Sequence, residues 1–265
     1  MDHFLSILLC ERDNMQKFYT FNNLSTQNNC IHLVTKKDLS QKCHFSLALH
    51  TGEKEKEILQ NRNILNEYFP HKHFIVANQT HSDNIIVINK PQESWLTKRE
   101  DHAIEDCDAL ITNQKNIMLT IMTADCVPIL LFDAKQKVIA VIHAGWKGTE
   151  QEITLKTVEK MRQIFDSNPE DIIAGIAPSI GKCCYEVDWN VAKHFQHIDN
   201  AYDNKGKKQM LDLPYINKKQ LLQAGIKKEN IEMSNVCTAC EVKEYFSYRK
   251  EKGCSGRFMT IIGLK

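Results

Sequence analysis

The chain has 265 residues, of which 42% are hydrophobic and 25% charged. That ordinary globular balance argues against disorder and gives enough apolar material for a core that needs neither disulfides nor metals merely to fold. Lys and Arg total 34 against 33 Asp and Glu, a net charge of +1, so no global field draws the chain to nucleic acid or to an anionic membrane, and no uncharged run approaches the roughly 18 residues of a membrane span.

In chain order, the apolar patch Phe4 to Leu9 comes first. Asp2 precedes it and Glu11, Arg12 and Asp13 follow, which does not fit a secretory leader. Met15 offers a second start, so residues 1–14 are expected to be an extension and residues 15–265 one domain. Strands are expected at 30–35 and 44–50, a helix at 54–68, then strands at 74–79, 84–89, 117–122, 128–132 and 137–142. Runs such as Ile129-Leu130-Leu131-Phe132 and Val138-Ile139-Ala140-Val141-Ile142 are apolar without alternation, the pattern of strands covered on both faces. A helix is expected at 149–166, with Thr149 and Glu152 as a capping box. A strand at 172–176, helices at 188–198 and 215–224 and strands at 231–236 and 257–263 complete the chain. Pro214 and Gly225 punctuate the last helix. The expected fold is a single mixed α/β domain with a large mixed sheet flanked by helices.

Three of the predicted strands end on a potential metal ligand: Gln79-Thr80-His81, Ala124-Asp125-Cys126 and His143-Ala144-Gly145. Two imidazoles and a thiolate suit zinc and leave a fourth tetrahedral position, the pattern of a catalytic rather than a closed site. Taken singly, each residue also fits an ordinary role, a hydrogen-bonded strand-end histidine or a small buried cysteine. The ten cysteines lie at 10, 30, 43, 107, 126, 183, 184, 237, 240 and 254; with no scaffold spacing they are expected to be reduced thiols of a cytoplasmic protein. Cys237 and Cys240 look like half a zinc knuckle, but no partner pair stands at suitable spacing, so a second zinc site is not expected there. Cys183 and Cys184 are adjacent, and a bond between them would be strained. Gly145 to Thr149 opens the predicted helix with Lys147 beside it, a possible anion site. Tyr245 to Arg249 mixes aromatic residues with a cation, a composition that can stack on a base or pair with phosphate.

These segments together resemble the YfiH-type, laccase-domain family, whose members were first named multicopper polyphenol oxidases. The resemblance spans residues 16–265. It rests on Asn61-Arg62, Gln79-x-His81, Asp106-x-Asp108-Ala109-Leu110-Ile111-Thr112, Thr123-Ala124-Asp125-Cys126-Val127-Pro128, His143 to Thr149, Ile180-Gly181-x-Cys183-Cys184-Tyr185-Glu186-Val187, Asp212-Leu213, Cys237-Thr238, Phe246-Ser247-Tyr248-Arg249 and Gly256-Arg257. It departs at Cys107, where Ala is usual, and at Ser82, where Gly is usual. The resemblance implies zinc on His81, Cys126 and His143. It also implies phosphorolysis of adenosine, inosine, guanosine and methylthioadenosine, with adenosine deamination in the same site. The implied partners are purine nucleosides and phosphate, with no nucleic acid and no membrane, for a monomer or weak homo-oligomer.

Within that expectation Cys126, His81, His143 and Asp125 are the catalytic candidates, Asp125 as proton carrier or orienter. Arg249, Arg257, Gln79 and Lys147 are the candidates for substrate contact. Three other readings of the sequence stay open. One is a Cys/His hydrolase or amidase in cell-wall precursor editing, with Cys126 as nucleophile. Another is a copper oxidase, which would need many more histidines in paired motifs than the 11 present. The third is a non-catalytic zinc module.

Overall fold

The computed structural model describes residues 18–90, 94, 96 and 103–265. The expected extension at 1–14 and the alternative start at Met15 lie outside the described residues.

The strands are β1 (Phe18–Tyr19), β2 (Cys30–Thr35), β3 (His73–Val76), β4 (Ile85–Val87), β5 (Ala109–Thr112), β6 (Ile117–Thr123), β7 (Val127–Asp133), β8 (Val138–Ala144), β9 (Ile172–Ile176), β10 (Glu186–Asp188), β11 (Tyr202–Lys205), β12 (Lys208–Leu211), β13 (Ile231–Met233) and β14 (Phe258–Leu264). The helices are α1 (Asn22–Ser25), α2 (Glu55–Glu67), α3 (Trp146–Glu150), α4 (Ile153–Phe165), α5 (Trp189–Ala192) and α6 (Leu213–Gln223). The mixed α/β class is as expected, but the large sheet is divided. A five-stranded sheet runs β1-β2-β14-β6-β3, a six-stranded sheet runs β13-β9-β7-β8-β5-β4, and a small sheet runs β10-β12-β11. Both large sheets are mixed: β3 pairs parallel with β6, β4 with β5 and β13 with β9, and the remaining pairs are antiparallel.

The two large sheets stack face to face. Leu119, Ile121 and Phe258 of the first meet Leu130, Phe132, Ile139 and Val141 of the second in one buried cluster. The alternate residues of the same strands, Ile129, Leu131, Ala140 and Ile142, pack against Val158 and Met161 of α4 and Ile216 and Leu221 of α6. On the outer face of the five-stranded sheet, Leu33, Phe74, Met118 and Ile261 pack against Leu65 of α2 and Phe69. The apolar runs therefore arise as expected from burial on both faces, with a second sheet covering one of them.

Three expected elements are corrected. Residues 44–50 are not a strand: a 3-10 turn spans Lys42–Phe45 and extended chain follows. Side chains of α2 take over its backbone pairing, since Asn61 Nδ2 donates to the carbonyls of Lys42 and Ser46 and Arg62 Nε to that of Leu47. The helix at 149–166 is two helices, broken where Glu152 takes φ 61°. No capping box forms, because Thr149 lies inside α3 and its hydroxyl accepts from Asn217 Nδ2 of α6. The helix at 188–198 shortens to α5 and a 3-10 turn over Lys193–Phe195. In α6, Pro214 stands at the first turn, Asp212 caps the Tyr215 amide, and Gly225 at φ +97° follows the end.

The chain passes from the five-stranded to the six-stranded sheet between β3 and β4, returns between β5 and β6, passes over again between β6 and β7, and returns between β13 and β14. These crossovers carry His81, Cys126 and the segment from Cys237 to Arg257.

Candidate metal centre and its pocket

Cys126 lies in the three-residue crossover Ala124-Asp125-Cys126 between β6 and β7. His143 is the penultimate residue of β8 and pairs with Pro128 of β7 across the antiparallel ladder, which brings it beside Cys126. His81 stands five residues past β3. Its approach is fixed by Gln79, whose amide accepts from Met122 N and donates to Met122 O, both at 2.8 Å. The donor atoms of His81, Cys126 and His143 lie within 4.8 Å of one another, and Cys126 Sγ is 3.9 Å from His81 Nε2. A tetrahedral zinc with bonds of about 2.0–2.3 Å would set an N···S separation of about 3.6 Å, so the donor set and spacing fit such an ion. Gly145 makes room for the group: a Cβ there would stand 3.0 Å from His81 Cδ2 and 3.3 Å from Cys126 Sγ.

Asp108 organises the donors and was assigned no role from the sequence. Its fully buried carboxylate accepts from His143 Nδ1 at 2.6 Å, His81 N at 3.1 Å, Ser82 N at 2.7 Å and Ser82 Oγ at 2.8 Å. Nδ1 is thereby occupied and Nε2 of His143 is left for ligation. Burial opposes ionisation of Asp108, but the His143 bond and charge and the Ser82 donors outweigh it and hold the carboxyl at about 2. Burial likewise opposes the Cys126 thiolate, and the neighbouring His143 charge, with hydrogen bonds from His143 and His81, draws it down to about 6. Against its own burial, His143 is pushed up to about 9 by the Cys126 thiolate and Asp108. Two non-glycine residues here take positive φ, His81 at 61° and Asp125 at 89°, local strain of the kind that clusters at functional sites.

The three donors line a cavity of about 550 Å³, with Asn78, Gln79, Asp125, Tyr185, Tyr248, Arg249 and Arg257 among its other lining residues. Asp125 is buried beside Cys126, but both its oxygens are engaged: Oδ1 accepts from Thr238 Oγ1 at 2.6 Å and Oδ2 from Arg249 N at 2.7 Å. That geometry makes it an anchor for the 238–249 segment. Arg249 lies 5.2 Å from the Tyr185 ring centroid and its Nη1 donates to Glu186 O. Arg257 lies 5.7 Å from the Tyr248 ring centroid and its Nη1 donates to Ser255 O and Gly256 O. Tyr245 and Phe246 of the aromatic segment belong to the core. Lys147 is exposed, 5.9 Å from the Trp146 ring centroid, and does not line the cavity.

The expectation that Cys237 and Cys240 lack partners is corrected. The fold brings Cys183 and Cys184 to them, with all four Sγ atoms within 4.8 Å. The partners come from a loop more than fifty residues away, which local spacing does not show.

A family model described as multi-copper polyphenol oxidoreductase laccase matches residues 33–265. Purine nucleoside phosphorylase YlmD of Bacillus subtilis is 33% identical over 236 residues, 86% of this chain and 85% of that protein. Adenosine deaminase RL5, from an unknown prokaryotic organism, is 36% identical over 195 residues, 71% of this chain and 74% of its own. The crystal structure of the hypothetical protein YfiH from Bacillus licheniformis superposes with a TM-score of 0.84 at 32% identity, covering 89% of this chain and 93% of that one.

Proposed function

The chain belongs to the multi-copper polyphenol oxidoreductase laccase family, and from that premise we propose that it is a zinc-dependent purine nucleoside phosphorylase that also deaminates adenosine in the same cavity. The observation that carries the reading is the convergence of His81, Cys126 and His143, with Asp108 behind them, on a cavity walled by two tyrosines and two arginines. The activities named for the relatives, phosphorolysis and adenosine deamination, both need what such a cavity supplies.

His81, Cys126 and His143 would hold the ion, and zinc bound there supplies Lewis-acid activation of an oxygen nucleophile. Asp108 keeps His143 in the tautomer that presents Nε2 and, through the His81 and Ser82 amides, fixes the loop carrying the second imidazole. The rings of Tyr185 and Tyr248 offer apolar faces to a purine, and the guanidinium groups beside them offer charge to phosphate. Phosphorolysis joins phosphate oxygen to C1′ of the ribose as the glycosidic bond breaks, giving the free base and ribose 1-phosphate. Deamination adds water at C6 of adenosine and releases ammonia, giving inosine. Asp125 holds the Arg249 segment against the donor crossover through the Thr238 hydroxyl and the Arg249 amide.

Copper chemistry of the multicopper kind draws no support from the donors. Among the described residues the groups able to hold a metal are this N₂S set and the four cysteines, without the several imidazole clusters such an enzyme uses. The hydrolase reading needs Cys126 as a free nucleophile, and a thiolate shared with a metal is a poor one. Purine nucleosides and phosphate are the proposed partners of a cytoplasmic monomer or weak homo-oligomer. The even charge balance supplies no general attraction to nucleic acid or to an anionic membrane. Among the described residues no helix is long and apolar enough to cross a membrane.

Incubation of the metal-quantified protein with adenosine tests the reading. Adenine and ribose 1-phosphate are expected with phosphate present, and inosine without it. Failure to form any of these, or oxidation of phenols in their place, would overturn it.

A further inference from the structure

Outside the cavity, the loop after β9 and the loop after β13 run side by side. Ser179 and Cys237 form a parallel bridge, Ser179 N donates to Val236 O, and Thr238 N donates to Ser179 O. Each loop then turns sharply. Cys184 N and Tyr185 N close on Gly181 O, and Cys240 N and Glu241 N close on Cys237 O. The two turns present two cysteines each to a common point. Cys183 Sγ stands 3.6 Å and Cys184 Sγ 3.5 Å from Cys240 Sγ, and all four sulfurs lie within 4.8 Å of one another. Gly181 N donates to Cys237 Sγ at 3.2 Å. Gly181 also permits the approach, since a Cβ there would meet Cys237 Cβ at 3.2 Å and Cys183 Sγ at 3.4 Å.

We propose that Cys183, Cys184, Cys237 and Cys240 form a second, closed zinc site that staples these two loops together. Zinc–sulfur bonds of about 2.3 Å in a tetrahedron set neighbouring sulfurs about 3.8 Å apart, close to the separations seen. Disulfide sulfurs would stand at about 2.05 Å, and the four cysteines are free. Four soft thiolates around one point select zinc over hard cations and leave no open position for a substrate. The site is therefore structural, unlike the three-donor group in the cavity. What it holds in place is the cavity wall: Tyr185 follows Cys184 directly, and Thr238, between the two loop cysteines, donates to Asp125 beside Cys126.

Metal content of the full chain, purified reduced and without added metal, tests the proposal together with X-ray absorption at the zinc edge. The wild type is expected to hold two zinc ions sharing five sulfur ligands, four from this cluster and one from Cys126. Cys237→Ser with Cys240→Ser should reduce the count to one zinc with a single sulfur neighbour. Should that variant fail to fold, His81→Ala supplies the complementary reading, one zinc with four sulfur neighbours, and separates this site from the cavity site. A wild type with one sulfur neighbour per zinc, iron in place of the second zinc, or a disulfide among the four cysteines in the freshly purified protein would overturn the proposal.

Discussion

Asp108 accepts from His143 Nδ1, from the amides of His81 and Ser82 and from the Ser82 hydroxyl, so one carboxylate positions both imidazoles. Asp108→Asn keeps the size but puts an amide N–H₂ where an acceptor is needed. We expect zinc affinity to fall about 10- to 100-fold and stability to drop by about 1–3 kcal/mol, read by competition with a chelating dye and by urea melts. Cys126 and His143 make a second prediction. Alone, the depressed thiol would contribute stability that is lost as pH falls through about 6, and the raised imidazole would contribute stability that is lost as pH rises through about 9. Between those values the folded chain has lost one proton and gained another, so the pair leaves the stability of the metal-free protein nearly flat. Metal binding removes the proton gained, because an imidazole ligates neutral. His143 should therefore raise apparent zinc affinity about tenfold per pH unit up to about 9. Calorimetry in buffers of different ionisation enthalpy reads that proton, and an affinity flat from pH 7 to 9 would contradict the pairing. Of these residues, His81, Cys126 and His143 were legible in the sequence because each follows or ends an apolar run. Asp108 was not, because a buried carboxylate before a strand looks like any turn residue until its donors are placed.

At the scale of elements, the close stacking of layers sets tolerances that the sequence conceals. Gly175 in β9 faces Phe21, and a Cβ there would come within 2.7–2.9 Å of three ring atoms of a fully buried side chain. Gly175→Ala should cost about 1–3 kcal/mol by overpacking, measured as a lower urea midpoint with an unchanged slope. A change below about 0.5 kcal/mol would mean that Phe21 moves aside freely. Most of the long strands are legible in their Ile- and Val-rich runs, and α6 in the Pro214 and Gly225 that punctuate it. The division into two sheets was not readable, because Leu130 facing a sheet and Leu131 facing a helix are equally apolar. The break at Glu152 was hidden for a related reason. Val158, Met161 and Phe165 keep their helical spacing through α4, and nothing local marks that Thr149 belongs to the preceding helix and pairs with α6.

For the whole molecule, the crossovers between the two large sheets explain why residues far apart in sequence share one cavity. The crossover from β3 to β4 brings His81, that from β6 to β7 brings Cys126, and that from β13 to β14 brings Tyr248, Arg249 and Arg257. Arg249 supplies no metal ligand, so Arg249→Ala should retain zinc while phosphorolysis slows or its KM for phosphate rises; deamination, which uses water, should suffer less. Equal loss of both activities with zinc retained would assign Arg249 to the purine instead. The metal donors act differently, because phosphorolysis and deamination are assigned to the same ion. The most direct measurement is therefore product analysis of Cys126→Ala with adenosine, in the presence and absence of phosphate, alongside its metal content and circular dichroism. The expected result is a folded protein that has lost the cavity zinc and forms neither adenine nor inosine above background. Retention of either product at a rate near that of the wild type would contradict it.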